Sequence, residues 1–303
     1  MEDKKKRIPH YLHHSLPNAK DFAYTNKVVK QAKLPTVCEE AKCPNRFECY
    51  SQKIATFLTL GSRCTRACPF CEIDFDKAPP PPSKDEAVHI CNSIKKLGLK
   101  YVILTMVTRD DLELGGANAF VYILQTIKTN FPSLTIEVLT SDFEGNPHAI
   151  QVVLNEQPAI FNHNIETVER LSPKVRHKAS YSRSLKVLEF AKLSNQANFI
   201  KSGLMVGLGE TQKEVQKAMY DLKNVGVDIV TIGQYLQASA KKLKVKAFIP
   251  PEIYQEYEHF GKENGLFVYA GPLVRSSYNA ASIHQMLQSK KQHQSLTASG
   301  LSH

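Results

Sequence analysis

The chain has 303 residues, of which 42% are hydrophobic and 22% charged, and a formal net charge of +10. This is ordinary globular composition, long enough for one large domain with extensions or for two smaller ones, and no apolar run approaches the ~20 residues of a membrane helix. The basic balance reads as a solvated surface; with no nucleic-acid module and no interleaving of basic and aromatic residues, neither nucleic acid nor a membrane is an expected partner.

The start, Met1 to Arg7, is charged, acidic at Glu2 and Asp3, poor in Ser and without a following apolar stretch, so neither a secretory signal nor a transit peptide is expected. Residues 1 to about 52 form an extension with one short helix, Asn26 to Lys33. Ala55 to Leu60 reads as a strand ending in Gly61. Pro79 to Pro82 marks a stiff loop, most simply a spacer. Then the chain alternates. Helix Asp85 to Leu97, with apolar residues at 87, 90, 91, 94 and 97, precedes strand Tyr101 to Met106. Helix Ala117 to Thr129 precedes strand Leu134 to Leu139, and helix Pro147 to Asn155 precedes strand Ala159 to Phe161. Helix Ser182 to Leu193 precedes strand Phe199 to Val206. Helix Thr211 to Val225, with Thr211 as N-cap and Glu214 as its capping-box partner, precedes strand Asp228 to Ile232. Helix Pro251 to Asn264 opens on a proline at its first turn.

Six strands alternating with helices require parallel pairing through right-handed crossovers, in a doubly wound sheet or a complete or partial (β/α) barrel. Each strand runs into a polar or glycine segment: Gly61 to Cys64, Thr108 to Asp111, Ser141-Asp142, Asn162-His-Asn164, Gly207 to Glu210 and Gly233-Gln234. Either architecture gathers these at one mouth, where ligands bind.

Six of the seven cysteines lie in two groups, Cys38-x4-Cys43-x5-Cys49 and Cys64-x3-Cys68-x2-Cys71. In the reducing cytoplasm expected here, grouped cysteines are more often metal ligands than disulfides. Zinc normally wants four N/S ligands, typically as two C-x2-C or C…H pairs, and no such two pairs occur here. Three thiolates at the second spacing hold three irons of a [4Fe–4S] cube and leave one iron open, whereas a cluster that only carries electrons usually has four cysteine ligands. Phe70, between Cys68 and Cys71, would shield such a cluster from water. The first group's longer spacing implies a separate centre with a ligand from elsewhere. Cys91, on the apolar stripe of its helix, is most simply a core residue.

These segments resemble the lipoyl synthases of the radical S-adenosylmethionine (SAM) superfamily, from about residue 36 to residue 280. The resemblance rests on Val37 to Asn45, Thr59 to Cys71, Thr108 to Leu112, Phe161 to Asn164, Lys201 to Glu210, Thr231 to Gln237 and Gly271 to Tyr278. It implies a partial (β/α)6 TIM-like barrel of the radical SAM type, with N-terminal and C-terminal extensions. The expected boundaries are 1–52 for the extension with the auxiliary cysteines, 53–270 for the barrel, and 271–303 for a segment with Arg275-Ser-Ser-Tyr278 and a flexible tail. It implies two [4Fe–4S] clusters and SAM: Cys64, Cys68 and Cys71 hold the cluster that chelates SAM, and Cys38, Cys43, Cys49 and Ser277 hold an auxiliary cluster. Serine is a harder ligand than thiolate, which suits a labile corner.

The implied activity is insertion of two sulfur atoms at C6 and C8 of a protein-bound octanoyl group, with the auxiliary cluster as sulfur donor consumed in turnover. The implied partners are octanoylated lipoyl carrier domains, in dehydrogenase E2 subunits and the glycine cleavage H protein, and a low-potential donor such as flavodoxin or ferredoxin. Gly203, Met205, Gly207 and Glu210 match a pattern that packs on the adenine of SAM; a strand-to-helix turn is the other reading. Asp110 and Asp111, beside Arg109, stand where the superfamily meets the amino group of methionine, or form a mutually repelling turn. Asn162 and Asn164 either contact ribose or substrate or stabilise their loop. Lys241 to Lys246 is a solvated strand edge or a docking surface for an acidic carrier. Ala238 and Leu243 to Val245 depart from the family's pattern. The rival readings are a methylthiotransferase, for which the chain has no spare RNA-binding domain, and a non-catalytic metal module, which would not bind SAM.

Overall fold

The computed structural model describes residues 7–13 and 19–299, with side chains as far as Lys291. Residues 1–6 of the charged start, residues 14–18 and the last four residues of the expected tail lie outside the described residues.

The extension folds as α1 (Ala19–Gln31), α2 (Val37–Glu40) and α3 (Arg46–Ser51). Buried hydrogen bonds hold it in place. Thr25 Oγ1 donates to the Tyr50 carbonyl at 2.7 Å, and the Thr36 and Tyr50 hydroxyls meet at 2.9 Å. The next element is β1 (Thr56–Thr59), and the Leu58 amide donates to the Pro35 carbonyl at 3.0 Å, while Thr36 bridges Phe57 antiparallel. The extension thus covers a sheet edge that would otherwise present unpaired backbone.

Two short strands, β2 (Arg63–Cys64) and β3 (Asp74–Phe75), flank the second cysteine group. The alternating part follows as α4 (Asp85–Leu97), β4 (Tyr101–Met106), α5 (Ala117–Asn130), β5 (Thr135–Leu139), α6 (Pro147–Leu154) and β6 (Ile160–Asn162). It continues with α7 (Ser172–Val175), α8 (Tyr181–Ser194), β7 (Phe199–Val206), α9 (Gln212–Asn224), β8 (Ile229–Gln234), α10 (Pro251–Glu263), β9 (Phe267–Gly271) and α11 (Ala280–Ser299). The local signals act as expected. Gly98, at φ 65°, ends α4; Thr211 and Glu214 form the capping box of α9; Pro251 opens α10.

The large sheet has seven strands in the order β1-β4-β5-β6-β7-β8-β9, every pair parallel. This is the partial (β/α) barrel, with the strands' C-terminal ends on one rim. The sequence reading stopped at six strands. It missed β9, five residues with a mostly half-buried face and no clear alternation.

The C-terminal segment differs more. In place of a flexible tail the chain forms α11, whose Ile283 joins Ile160, Phe199 and Ile229 in a small apolar cluster, with Leu287 packed against it. Those partners begin β6, β7 and β8, so α11 closes the barrel's N-terminal end. Just inside lies a fully buried ion pair, Lys201 Nζ to Glu137 Oε1 at 2.9 Å. Tyr101 Oη donates to Glu137 Oε2 at 2.5 Å and Asn162 Nδ2 to Glu137 Oε1 at 3.1 Å. The expected ribose or substrate contact by Asn162 is therefore corrected. Its side chain points along the barrel interior, where it satisfies a buried carboxylate.

Candidate metal centres and their cavity

Threonine and arginine, more than the cysteines, shape the Cys64–Cys71 loop. Thr65 ties it to the end of β4: its amide and hydroxyl both donate to the Thr108 carbonyl at 3.0 Å, and its Oγ1 accepts from the Asp110 amide at 3.0 Å. Arg66, 5% exposed, forks onto Asp110 with two bonds of 2.8 Å and reaches Asp142 at 2.7 Å. The loop is pinned to the ends of β4 and β5 together. Backbone amides approach two sulfurs, Arg66 N–H to Cys64 Sγ at 3.4 Å and His177 N–H to Cys68 Sγ at 3.3 Å.

One cavity of about 540 Å³ lies at the C-terminal rim, and all six grouped cysteines line it. On the extension's side it meets Cys38, Cys43 and Cys49 together with Ser276 and Ser277; on the barrel's side it meets Cys64, Cys68, Cys71 and Phe70. Cys91 is not at its wall and packs against the core, as expected. Asn45 Nδ2 holds the Arg275–Tyr278 segment to the extension by donating to the Leu273 carbonyl at 2.6 Å, and Tyr278 Oη donates to Glu48 at 2.8 Å. Burial pushes the Cys38 and Cys71 thiols up to about 12 and raises Cys49 and Cys68 as well. Desolvated thiols of this kind need a positive partner to ionise.

Of the expected SAM contacts, Gly203, Met205 and Asn164 line the cavity. A Cβ on Gly203 would stand 2.6 Å from Thr231 Oγ1 and 3.0 Å from Asn164 Oδ1, so the bare backbone is what leaves room there. Asn164 donates to Ser276 Oγ at 3.2 Å, while its buried Oδ1 has no partner among the described residues.

The others stand elsewhere. Gly207 and Glu210 form the strand-to-helix turn: the Glu210 carboxylate accepts from the Gly207 and Leu208 amides at 2.5 and 3.0 Å. A Cβ at Gly207, φ 97°, would meet Gln234 Nε2 at 2.1 Å. Asp110 and Asp111 do not line the cavity and do not repel one another, because each faces a different guanidinium: Asp110 that of Arg66, Asp111 that of Arg109 at 2.8 Å. Lys241 to Lys246 is neither strand nor edge. It is a loop whose Leu243 amide donates to the Pro69 carbonyl at 3.1 Å and whose Lys246 amide donates to Gly207 at 2.8 Å. Ser239 of that loop and Lys42 of the extension both donate to Glu72, at 2.9 and 2.5 Å. One carboxylate thus joins both flanks of the mouth to the cluster loop.

Sequence reasoning missed three charged or titratable groups at the wall. Glu166, at φ 64°, lines the cavity, and desolvation raises its carboxyl. Buried Arg176 lies on the same wall, where Arg176 donates to Ser184 Oγ at 2.7 Å. His163 is buried between the Thr140 carbonyl at 3.0 Å and Ser184 Oγ at 2.9 Å. A carbonyl only accepts, so Nδ1 carries the proton and Nε2 accepts from Ser184. Burial first, then the nearby Arg176, lowers His163 to about 4. The available signal was the polar segment after β6, which runs on past Asn164 to Glu166.

The donor set fits two iron–sulfur cubes. Each side offers three thiols and neither has a fourth cysteine, while Ser276 and Ser277, in the segment bonded to the extension, line the same cavity. Among the described residues no three His, Cys, Asp or Glu side chains converge on a single-ion site.

Comparison with known proteins agrees. The Radical SAM superfamily profile matches residues 58–233. A lipoyl synthase of Chlamydia trachomatis serovar L2 is 51% identical over 285 residues, covering 94% of this chain and 92% of that protein. One from Protochlamydia amoebophila is 52% identical over 278 residues, covering 90% and 86%. Among solved structures, methylornithine synthase superposes with a TM-score of 0.54 at 17% identity, covering 70% of this chain and 62% of that one. Streptococcus suis SuiB bound to S-adenosylmethionine gives 0.58 at 10%, covering 85% and 65%. At such identities the two structures speak for the fold alone. With the relatives matched over nearly their whole length, the chain belongs to the radical SAM superfamily and, within it, to the lipoyl synthases.

Proposed function

We infer that this protein is a sulfurtransferase that inserts two sulfur atoms into the octanoyl chain of a lipoyl carrier protein. The observation that carries this reading is the pair of three-thiol sets opening on one cavity, with Ser277 beside the set from the extension. When bound, the two [4Fe–4S] clusters and SAM supply the chemistry: reductive cleavage of SAM to a 5′-deoxyadenosyl radical, and sulfide for the activated carbons.

The chain's own residues hold and enclose. Cys64, Cys68 and Cys71 are the ligands of the cluster that binds SAM, and Cys38, Cys43, Cys49 and Ser277 those of the sulfur-donating one. Arg66, itself on the cavity wall, ties the Cys64–Cys71 loop to Asp110 and Asp142. Gly203 and Met205 offer a flat wall for adenine, and the orphaned Asn164 Oδ1 a hydrogen-bond acceptor. Glu166 and Arg176, an acid and a base on the Cys68 side, take the place first given to Asp110 and Asp111. Their charges suit the amino and carboxylate ends of a methionyl group. Phe70, Leu204 and Met205 present apolar surface to an acyl chain and exclude water. The carriers are dehydrogenase E2 lipoyl domains and the glycine cleavage H protein, the electron donor is a flavodoxin or ferredoxin, and the compartment is the cytoplasm. No helix of the described residues is long and apolar enough to cross a membrane.

The test is anaerobic incubation of the cluster-loaded protein with SAM, a strong reductant and an octanoyl-lysine carrier peptide, read by mass spectrometry. The expected product is a peptide with two added sulfurs, alongside 5′-deoxyadenosine. Cys68→Ala should abolish SAM cleavage. Cys43→Ala should keep cleavage and stop sulfur insertion, and a Cys43→Ala protein that still inserts sulfur would remove the assigned donor role.

A further inference from the structure

The Cys64–Cys71 loop has two faces. Its thiols, Arg66 and Phe70 line the cavity, whereas Ala67 and Pro69 are exposed and do not. Two rings sit over this outer face. Phe75, 46% exposed, and His177 meet edge to face with centroids 6.5 Å apart. Neither ring lines the cavity.

Both are joined directly to the cysteines beneath. The His177 amide donates to Cys68 Sγ at 3.3 Å, and His177 Nδ1 accepts from the Ala67 amide at 3.0 Å. Phe75 is the strand partner of Cys64, and the neighbouring Asp76 amide donates to the Cys64 carbonyl at 3.0 Å. A lone exposed apolar residue is ordinary on a protein surface. This one differs in packing on the ring of His177, whose amide bonds the Cys68 thiol, and in lying opposite Cys64 in the β2–β3 pair. The surroundings are mildly basic. Arg63, Lys77 and Lys178 are exposed, against Asp74 and Asp76, with Arg63 Nη1 bonded to Asp76 at 2.9 Å. The whole chain carries +10.

We propose that this outer face is the docking site of an acidic one-electron donor protein. The inference rests on the function proposed above and adds where the electron enters. An exposed aromatic centre with an exposed lysine close by on each segment, Lys77 two residues after Phe75 and Lys178 next to His177, suits an acidic partner, because the field steers the encounter and the ring anchors it. Small contacts of this kind are typical of redox encounters. The step makes and breaks no bond: the donor loses one electron, and the thiolate-held iron behind the face gains it. Since the carrier's acyl chain must enter the cavity, the donor and the carrier address the same loop from opposite sides. The donor need not wait for the carrier to leave.

The probe is reduced flavodoxin, titrated into the cluster-loaded protein and its Phe75→Ala and Lys178→Glu variants by calorimetry at low and high salt. Stopped-flow bleaching of cluster absorbance by flavodoxin, and separately by dithionite, completes the set. Each variant should lose about tenfold in flavodoxin affinity, the value of one anchoring contact. Flavodoxin-driven bleaching should slow to match. Salt should shrink the Lys178→Glu effect, and dithionite should bleach all three proteins equally. Unchanged flavodoxin affinity in both variants overturns the proposal. So does a loss of octanoyl-carrier affinity in its place, which would give this face to the carrier. Wild-type protein holding both clusters that fails to cleave SAM even with dithionite would defeat the functional reading itself.

Discussion

Arg66 shows what a single side chain can do for a loop that has little structure of its own. It gathers the carboxylates of Asp110 and Asp142, one from each of two strand ends, and Asp142 also takes Arg183 at 3.2 Å. Desolvation would raise Asp142, but the Arg66 guanidinium overrides it and holds the carboxyl at about 2. Stability from Asp142 is therefore present above its ordinary value of 3.8 and is lost as pH falls from there to about 2. His163 acts over a higher window. Its folded value of about 4 lies below the ordinary 6.5, so between these pH values the unfolded chain takes a proton that the native one refuses. Unfolding free energy should thus fall on acidification from 6.5 to 4, by about 1.4 kcal/mol per pH unit from this residue. Urea titrations of wild type and His163→Gln across that range should show the slope in the first and its loss in the second. An equal slope in both would assign the acid sensitivity to other groups. At this scale the sequence singled out six cysteines that the structure gathers around one cavity, because their grouping sets them apart from the periodic apolar runs. It misplaced Asp110 and Asp111, since the guanidinium that claims Asp110 sits 44 residues upstream.

Among the elements, those with a local cause were legible and those with a distant one were not. The helix α9 begins where Thr211 and Glu214 bond each other's backbone, a signal contained in four residues. Thr211→Ala should cost about 1 kcal/mol, read as a lower thermal midpoint with SAM cleavage unchanged. If the midpoint does not move, the cap is redundant with the Arg170–Glu214 pair at 2.6 Å. By contrast, α2 and α3 are four and six residues long, too short to carry a helical period. They exist because Tyr50 and Thr36 are buried against each other and against α1. The strand β9 is likewise made by its neighbour: its five residues pair with β8 from Phe267 to Gly271. The run Lys241 to Lys246 alternates like a strand but is held as a loop by Pro69 and Gly207, contacts that no sequence window contains.

Over the whole molecule, the alternation of strands and helices and the polar segments at the strand ends were enough to give a parallel sheet with one ligand-bearing rim but left a doubly wound sheet and a barrel open, and it was the family resemblance that chose the barrel. The closed end was not legible. α11 has little amphipathic pattern, and only contact with the strand starts reveals what Ile283 and Leu287 are for. A chain ending at Asn279 would uncover Ile160, Phe199 and Ile229, each now at most 7% exposed. At 1.5–3 kcal/mol per uncovered side chain, a lower urea midpoint with dye-binding apolar surface is expected. An unchanged midpoint would make the helix an accessory. A stopper at one end turns the barrel from a tube into a cup. Whatever goes in must come out by the same lip, and the lip is where the extension, the Glu72 junction and the Arg275–Tyr278 segment meet. A carrier whose finished chain still fills the cup therefore stands in the way of any agent that would restock its sulfur. Release of product and renewal of the enzyme become successive turns at one doorway.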